Sequence, residues 1–377
     1  MRTLVVNGLR LAGARTAMGR YIEAMAREWS HRDTPFTRIR VMAPTDGLLA
    51  DIGVATPLEV HYFADRRTAV LWEQLSLPRR ARGCSLLFCP AYTAPLAFGG
   101  PIVVANHGIY ERLPDEFSRL HRLRASPLHR LSARRARRVI ANSRQTKTDL
   151  EDFFGLASER IDVVYPAASA AFSENHDPAE VAAEGRRTLG GDWPYLIFVG
   201  KLARRRNVPN LIEAFAIVQR ELDLPHRLLI VGPNTGAVPV AELATRSGLD
   251  GRVVYLPHLE QRPLALLYAG ATAFVLPTTY EGISHTMFEA MASGTPVLTV
   301  DHPTLAEGAG DSALALPSPS VPDLVHGLRT LLSDESLREE LSRRGRERAK
   351  AFSWARAAEE TMEILDRVAA PADRRTL

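Results

Sequence analysis

Tyr280-Glu281-Gly282-Ile283-Ser284-His285-Thr286-Met287-Phe288-Glu289-Ala290-Met291-Ala292-Ser293-Gly294-Thr295-Pro296-Val297 is the stretch that decides how this chain is read. An apolar run, Ala273-Phe274-Val275-Leu276-Pro277, precedes it, and a second, Val297-Leu298-Thr299-Val300, follows. Each reads as a buried strand of a parallel sheet. Between them, Ser284 to Ser293 predicts a helix with Ser284 as its N-cap and Gly294 as its stop. A strand–loop–helix–strand unit of this kind puts the loop and the helix start at the carboxyl edge of the sheet, where open α/β folds bind ligands. The unpaired N–H groups of a helix start favour an anion such as a phosphate. Two carboxylates bracket that start, Glu281 before it and Glu289 within the helix.

Working outward, the same pattern recurs on both sides. Downstream of a stretch from Ala168 to Gly191 that reads as a linker and a first helix, Tyr195-Leu196-Ile197-Phe198-Val199-Gly200 opens a sheet continued by Leu228–Val231, Val253–Leu256, Ala273–Leu276 and Val297–Val300. Helices are expected near Val208–Arg220, Val240–Ser247, Pro263–Ala269 and Ser284–Ser293. Upstream, strands are expected at Thr3–Gly8, Ile39–Ala43, Leu86–Cys89, Ile102–Asn106, Val139–Asn142 and Ile161–Tyr165. Alternation of strand and helix over this length predicts an α/β architecture with parallel sheets. A chain of 377 residues exceeds what one core usually serves, so two domains are expected, 1–170 and 171–354. The tail from Ser333 to Ala369 reads as two helices, with Ser353 capping the second.

Several classes are disfavoured. No apolar run is long enough to span a membrane, and the first ten residues are interrupted too soon by Asn7 and Arg10 to be a signal peptide, so a cytoplasmic protein is expected. Cys84 and Cys89 read as small buried hydrophobes rather than a disulfide or metal pair. The net charge of +4 rests almost wholly on arginine, which suits phosphate ligands but carries no nucleic-acid signature. Gly13 and Gly19 are spaced too widely for a dinucleotide fingerprint, which argues against a nicotinamide dehydrogenase.

Other stretches carry two readings each. The loop Lys201-Leu202-Ala203-Arg204-Arg205-Arg206-Asn207 follows a strand end and should share a sheet edge with Glu281; its cations would offset charge on a phosphate-bearing ligand, or form a surface arginine run. His107 follows the strand Ile102–Asn106, a position suited to a site residue. Arg119 to Arg138 is strongly basic with leucines at helical spacing, broken at Pro127. It reads as a patch for an anionic membrane or charged acceptor, or as a solvated helix face. The second reading is favoured because the apolar face lacks bulky aromatics.

With these residues assembled, the chain resembles the retaining glycosyltransferases of the GT-B fold, family 4 (group 1), over nearly its whole length. The strongest motif is Glu281 to Glu289, two glutamates separated by seven residues and followed by Ala-Met-Ala-Ser-Gly-Thr-Pro-Val. Gly13 to Tyr21, His107, Arg138 to Ser143, Ile161 to Pro166 and Phe198 to Asn207 support it. The resemblance implies two Rossmann-like domains facing across a cleft, with the final helix, about 355–377, crossing back to the first. It implies a nucleotide-sugar donor (GDP- or UDP-linked) on the second domain and a saccharide, lipid-linked or small-molecule acceptor on the first, with no metal or other cofactor. Glu289 would bind the ribose, and Glu281 would contact the donor sugar. The amides of Gly282, Ile283, Ser284, His285 and Thr286 would hold sugar and phosphate, and Lys201 and Arg206 the diphosphate. Gly200 and Asn207 belong to that loop; Gly13 and Gly19 to the loop that approaches the diphosphate; His107 to the reacting sugar.

The chain departs from the family pattern in three places. The family's basic pair commonly runs Arg then Lys, reversed here. Ser284 stands where Gly is frequent and would restrict the backbone, and His285 adds a candidate donor. Gly108 follows His107 where Asp is frequent. These departures bear on which sugar is used. A nucleotide-sugar epimerase of similar fold, or a catalytically silent scaffold subunit, are the alternative readings.

Overall fold

The computed structural model describes residues 2–11, 17–43, 58–63, 68–113, 119–234, 236 and 238–370. The chain forms two compact units, Met1–Pro166 with Ser353–Leu377, and Ala167–Phe352. Each is a parallel sheet flanked by helices, so the two Rossmann-like halves of the GT-B class are both present.

In the first unit the strands are β1 (Thr3–Asn7), β2 (Arg38–Ala43), β3 (Leu58–Tyr62), β4 (Leu86–Cys89), β5 (Ile102–Asn106), β6 (Arg138–Ala141) and β7 (Ile161–Val163). They lie in the order β3-β2-β1-β4-β5-β6-β7, and every pairing is parallel. Successive residues alternate between two cores. Leu4, Val6, Leu86, Phe88, Val103 and Ala105 enter one, while Val5, Leu87, Cys89, Ile102 and Val104 enter the other. Both faces of the sheet are therefore covered, which is why its central strands read as unbroken apolar runs.

The final helix, Trp354–Ala369, packs on the first of these cores, burying Ala357, Ala358, Met362, Leu365 and Val368. Ser353 caps it, its hydroxyl accepting from the Arg356 N–H. Trp29 fixes the register by donating its indole N–H to the Ala358 carbonyl at 3.1 Å. Met362, Leu365 and Val368 each contribute about 1.5–3 kcal/mol of transfer free energy.

The second unit holds β8 (Tyr195–Val199), β9 (Arg227–Val231), β10 (Val253–Leu256), β11 (Ala273–Leu276), β12 (Val297–Val300) and β13 (Ala313–Leu316). Their order is β10-β9-β8-β11-β12-β13, again all parallel. The order reverses between β8 and β11, so the connections leaving these two strands diverge to opposite sides. That topological switch point is where an open α/β sheet leaves a crevice at its carboxyl edge.

The structure corrects the sequence reading in several places. Pro127 does not break the basic stretch: one helix runs Arg119–Arg135 through it. Of its described leucines, Leu128 is half-buried and Leu131 is 49% exposed, while His129, Ser132, Ala133 and Ala136 are buried. The helix therefore docks through small and polar side chains, which hydropathy spacing does not detect. β3, β13 and the Val321–Ser333 helix were not anticipated. Both cysteines are free, but only Cys89 is buried; Cys84, which precedes β4, is partly exposed. No helix among the described residues is long and apolar enough to cross a membrane.

Candidate functional site

Two loops meet at the switch point of the second unit. One follows β8 and runs from Gly200 to Asn207; the other follows β11 and runs from Pro277 to Ser284. Arg204–Arg206 forms a single 3-10 turn that ends at Asn207, whose φ of 48° is left-handed. Asn tolerates that conformation better than most residues, and its side chain explains the choice. Its amide donates to the carbonyls of Arg205 (2.9 Å) and Pro277 (2.8 Å), tying one loop to the other. The Thr279 N–H donates to the Arg205 carbonyl at 2.9 Å, and the Arg205 Nε donates to the Tyr280 carbonyl at 3.2 Å.

Charge is paired across the same seam. Arg206 Nη2 lies 2.6 Å from Glu281 Oε1, and Arg205 Nη2 lies 3.6 Å from the same oxygen. Glu281 is 3% exposed and Arg206 8%, so both ions are withdrawn from water and depend on each other. Lys201 and Arg204 are exposed. Sequence reasoning assigned Lys201 and Arg206 to the diphosphate and did not anticipate that Arg205 and Arg206 both face Glu281.

Gly200 and Gly232 permit this arrangement. A Cβ on Gly200 would sit 3.3 Å from the Arg206 guanidinium, and a Cβ on Gly232 would sit 2.1 Å from the Gly200 carbonyl oxygen. Their φ values, 150° and 144°, also disfavour any side chain. The ends of β8 and β9 thus approach each other as bare backbone.

The helix His285–Ser293 begins at the second loop. Ser284 is its N-cap, with Oγ accepting from the Met287 N–H at 3.2 Å. Its φ of −98° is extended backbone that serine adopts without strain. The Tyr268 hydroxyl donates to the Thr286 carbonyl at 3.2 Å. Gly282, Ile283 and Ser284 are buried, His285 and Thr286 partly exposed, and Glu289, on the same helix, is 4% exposed. Gly294 ends the helix, its N–H donating to the Ala290 and Met291 carbonyls. The second unit therefore gathers Gly200, Lys201, Arg206, Asn207, Glu281 to Thr286 and Glu289 at one sheet edge.

The remaining candidates lie elsewhere. His107 is in the first unit, 3% exposed, after β5. Its Nε2–H donates to the Pro90 carbonyl at 2.8 Å, and burial pushes its pKa down to about 4. Tyr21 meets the ring edge-on at 4.9 Å. Gly19 is buried within the first turn of the Ala17–Ser30 helix, and Gly13 lies outside the described residues. A carboxyl that sequence reasoning missed, Glu73, is buried near the same sheet edge and accepts from the Asn7 amide at 2.8 Å. Burial raises its pKa. Among the described residues no group of three or more His, Cys or acidic side chains is placed to hold a metal ion.

Comparison with known proteins places the chain in a family. A family model described as Glycosyl transferases group 1 matches residues 185–348, and one described as Glycosyltransferase Family 4 matches residues 18–171. The chain belongs to the family 4 (group 1) glycosyltransferases. Among relatives of this family, the D-inositol 3-phosphate glycosyltransferase of Nocardia farcinica is 31% identical over 236 residues, covering 60% of this chain and 52% of that protein. The O-antigen chain mannosyltransferase B of Escherichia coli is 27% identical over 228 residues, covering 60% of each. The chain thus spans about half to three fifths of the length of these curated relatives. Among solved structures, Anabaena HepE in complex with UDP-glucose superposes with a TM-score of 0.78 at 20% identity, over 97% of this chain and all of that one. That likeness is one of fold.

Proposed function

We propose that this family 4 member is a retaining glycosyltransferase that moves a sugar from a UDP- or GDP-linked donor to a hydroxyl acceptor without a metal ion. One observation carries the reading: the two loops at the β8/β11 switch point are laced together around the Arg205–Arg206–Glu281 cluster, beside the start of the His285–Ser293 helix. The bound UDP-glucose of HepE and the sugar transfer named for the two relatives support it.

In this reading the amides from Gly282 to Thr286 and the helix start receive the diphosphate, joined by Lys201 and the Arg206 guanidinium. Glu289 holds the ribose hydroxyls, and Glu281, held by the two arginines, meets the sugar. The acceptor oxygen bonds to the anomeric carbon on the face from which the diphosphate oxygen departs. The carbon–phosphate oxygen bond breaks, and the acceptor proton passes to the departing phosphate. The fixed donors stabilise the charge that develops there. The buried, uncharged His107 is assigned to the reacting sugar. Peripheral contact with an anionic membrane is a subordinate reading, favoured by the exposed Leu131 beside the exposed Arg130 and Arg134.

A thermal-shift panel of nucleotide sugars tests the donor class, because a ligand at a hundred times its Kd adds about 2.7 kcal/mol of stability. One donor should raise the transition, and Glu289→Ala should abolish the rise. NMR of the product should show the anomeric configuration of the donor, unchanged by a chelator. An inverted product, or epimerised donor without acceptor, overturns the reading.

A further inference from the structure

The basic helix Arg119–Arg135 carries a buried histidine, His129, that leads to the loop carrying His107. His129 is 5% exposed. Its Nδ1 lies 2.6 Å from Glu111 Oε1 and its Nε2 lies 2.6 Å from Asn106 Nδ2. Asn106 is fully buried at the end of β5, and its Oδ1 accepts the Gly108 N–H at 3.0 Å. His107 stands between these two residues in the chain.

Only one assignment of protons satisfies all three contacts. A carboxylate accepts only, so Nδ1 of His129 must donate to Glu111. With Nδ1–H present, Nε2 accepts from the Asn106 NH2. That fixes the Asn106 amide, leaving its carbonyl oxygen for the Gly108 N–H. Reversing the amide would set two donors against each other at Gly108. The carboxylate of Glu111 thus selects the His129 tautomer, the tautomer selects the amide orientation, and the amide holds the backbone on the far side of His107.

A second link runs through packing. Tyr92 has φ 68°, a left-handed conformation that a bulky residue rarely adopts. Its ring meets His129 edge-on at 5.1 Å and His107 at 5.7 Å, and its N–H donates to the Ala105 carbonyl at 2.9 Å. Ser132, one turn along from His129, accepts the Ala94 N–H at 3.0 Å. The helix therefore pins both the loop after β4, which receives the His107 Nε2–H at Pro90, and the loop after β5.

We infer that Glu111, His129 and Asn106 form a positioning chain that sets the placement of His107. The inference rests on the role given to His107 in the proposed transfer reaction. His129 is a positioning residue: it acts through Asn106 and Tyr92 and has no assigned contact with substrate. A displacement of about 1 Å at a reacting group can lower a rate on the order of 100-fold.

Three substitutions divide the chain into its parts. His129→Phe keeps an aromatic ring against Tyr92 but removes both hydrogen bonds. His129→Gln places an amide oxygen near the Nε2 position, able to accept from Asn106. His129→Asn places an amide nitrogen near the Nδ1 position, able only to meet Glu111. Expected is a fall in kcat of roughly 10- to 100-fold for His129→Phe and His129→Asn, with donor KM within about twofold. His129→Gln should recover most of the lost kcat, a pattern that a purely structural role would not produce. In the parent chain, 15N NMR of labelled histidine should find His129 with its proton on Nδ1 and His107 with its proton on Nε2. Parent kcat in His129→Phe, with His107→Ala inactive, overturns the positioning chain and leaves the His107 role standing. Parent kcat in His107→Ala instead overturns that role. An Nε2–H tautomer at His129 overturns the chain whatever the rates.

Discussion

Removing either member of the Arg206–Glu281 pair should cost far more than a surface ion pair. The contact is 2.6 Å long and both side chains are less than one tenth exposed. Replacing Arg206 by Met leaves the Glu281 carboxylate facing Arg205 alone, at 3.6 Å. Breaking a buried pair from one side costs about 3–5 kcal/mol, and the residual Arg205 places Arg206→Met near the lower end. Replacing Glu281 by Gln leaves two guanidinium groups without their shared anion and should cost about the same, ~3 kcal/mol. For a unit of this size each kilocalorie lowers the thermal midpoint by roughly 2–4 °C, so a drop of about 6–12 °C is expected. The double variant removes both charges and should be milder than the sum of the singles by about 0.5–3 kcal/mol. Denaturant titration of the four proteins closes the cycle. If each single variant costs less than about 1 kcal/mol and the two add, the pair is not an electrostatically coupled buried contact and the reasoning fails.

Three further outcomes follow from contacts already described. Gly232→Ala would drive a Cβ into the Gly200 backbone, and a loss of about 3 kcal/mol or more is expected, read by the same titration; a loss below ~1 kcal/mol would mean the two strand ends are not held together. Ser284→Asp keeps a capping oxygen, so stability should stay within about 0.5 kcal/mol, yet its negative charge beside the helix start should weaken nucleotide-sugar binding by roughly tenfold in calorimetry. Unchanged binding would place the phosphate elsewhere. His107 has a folded pKa of about 4 against 6.5 in the open chain, so between those values the unfolded state binds more protons. Stability should therefore fall as pH drops from 6.5 towards 4, by up to about 3 kcal/mol in all, and be flat above. His107→Gln should flatten that part of the stability–pH curve; an unchanged slope would show that the ring is already charged or exposed.

The fold was legible wherever burial on both faces forces an unbroken apolar run. β8 and β11, fully enclosed, stand out in the sequence for that reason. β3 was missed because Leu58-Glu59-Val60-His61-Tyr62 mixes charged and apolar residues, as an edge strand paired only with β2 is free to do. β13 lies at the other sheet's edge, with Ala313, Leu314 and Ala315 only partly buried or exposed. At the candidate site, helix caps were readable from local chemistry alone: Ser284, Gly294 and Ser353 all cap as their residue types predict. What pairs with what was not readable. Arg205 and Arg206 are identical in sequence character to Arg204, and only the 3-10 turn decides which of them turn inward to Glu281. His129 was hidden for a related reason, because its helix buries its polar side.

The C-terminal helix has a consequence for the order in which the protein is made. Trp354–Ala369 completes a core whose other buried members, from Leu4 to Val164 with Tyr21, Trp29 and Phe88 among them, are all synthesised before the second unit begins. Residues 167–352 must be translated before that helix emerges. At ~5–20 residues per second this interval lasts on the order of 10–40 s. Throughout it, the first unit waits on the ribosome with an apolar groove uncovered, while the second can close on its own sequence. The later-made unit is thus the first that can finish folding, and the uncovered seat of the last helix is the surface a chaperone would have to shield.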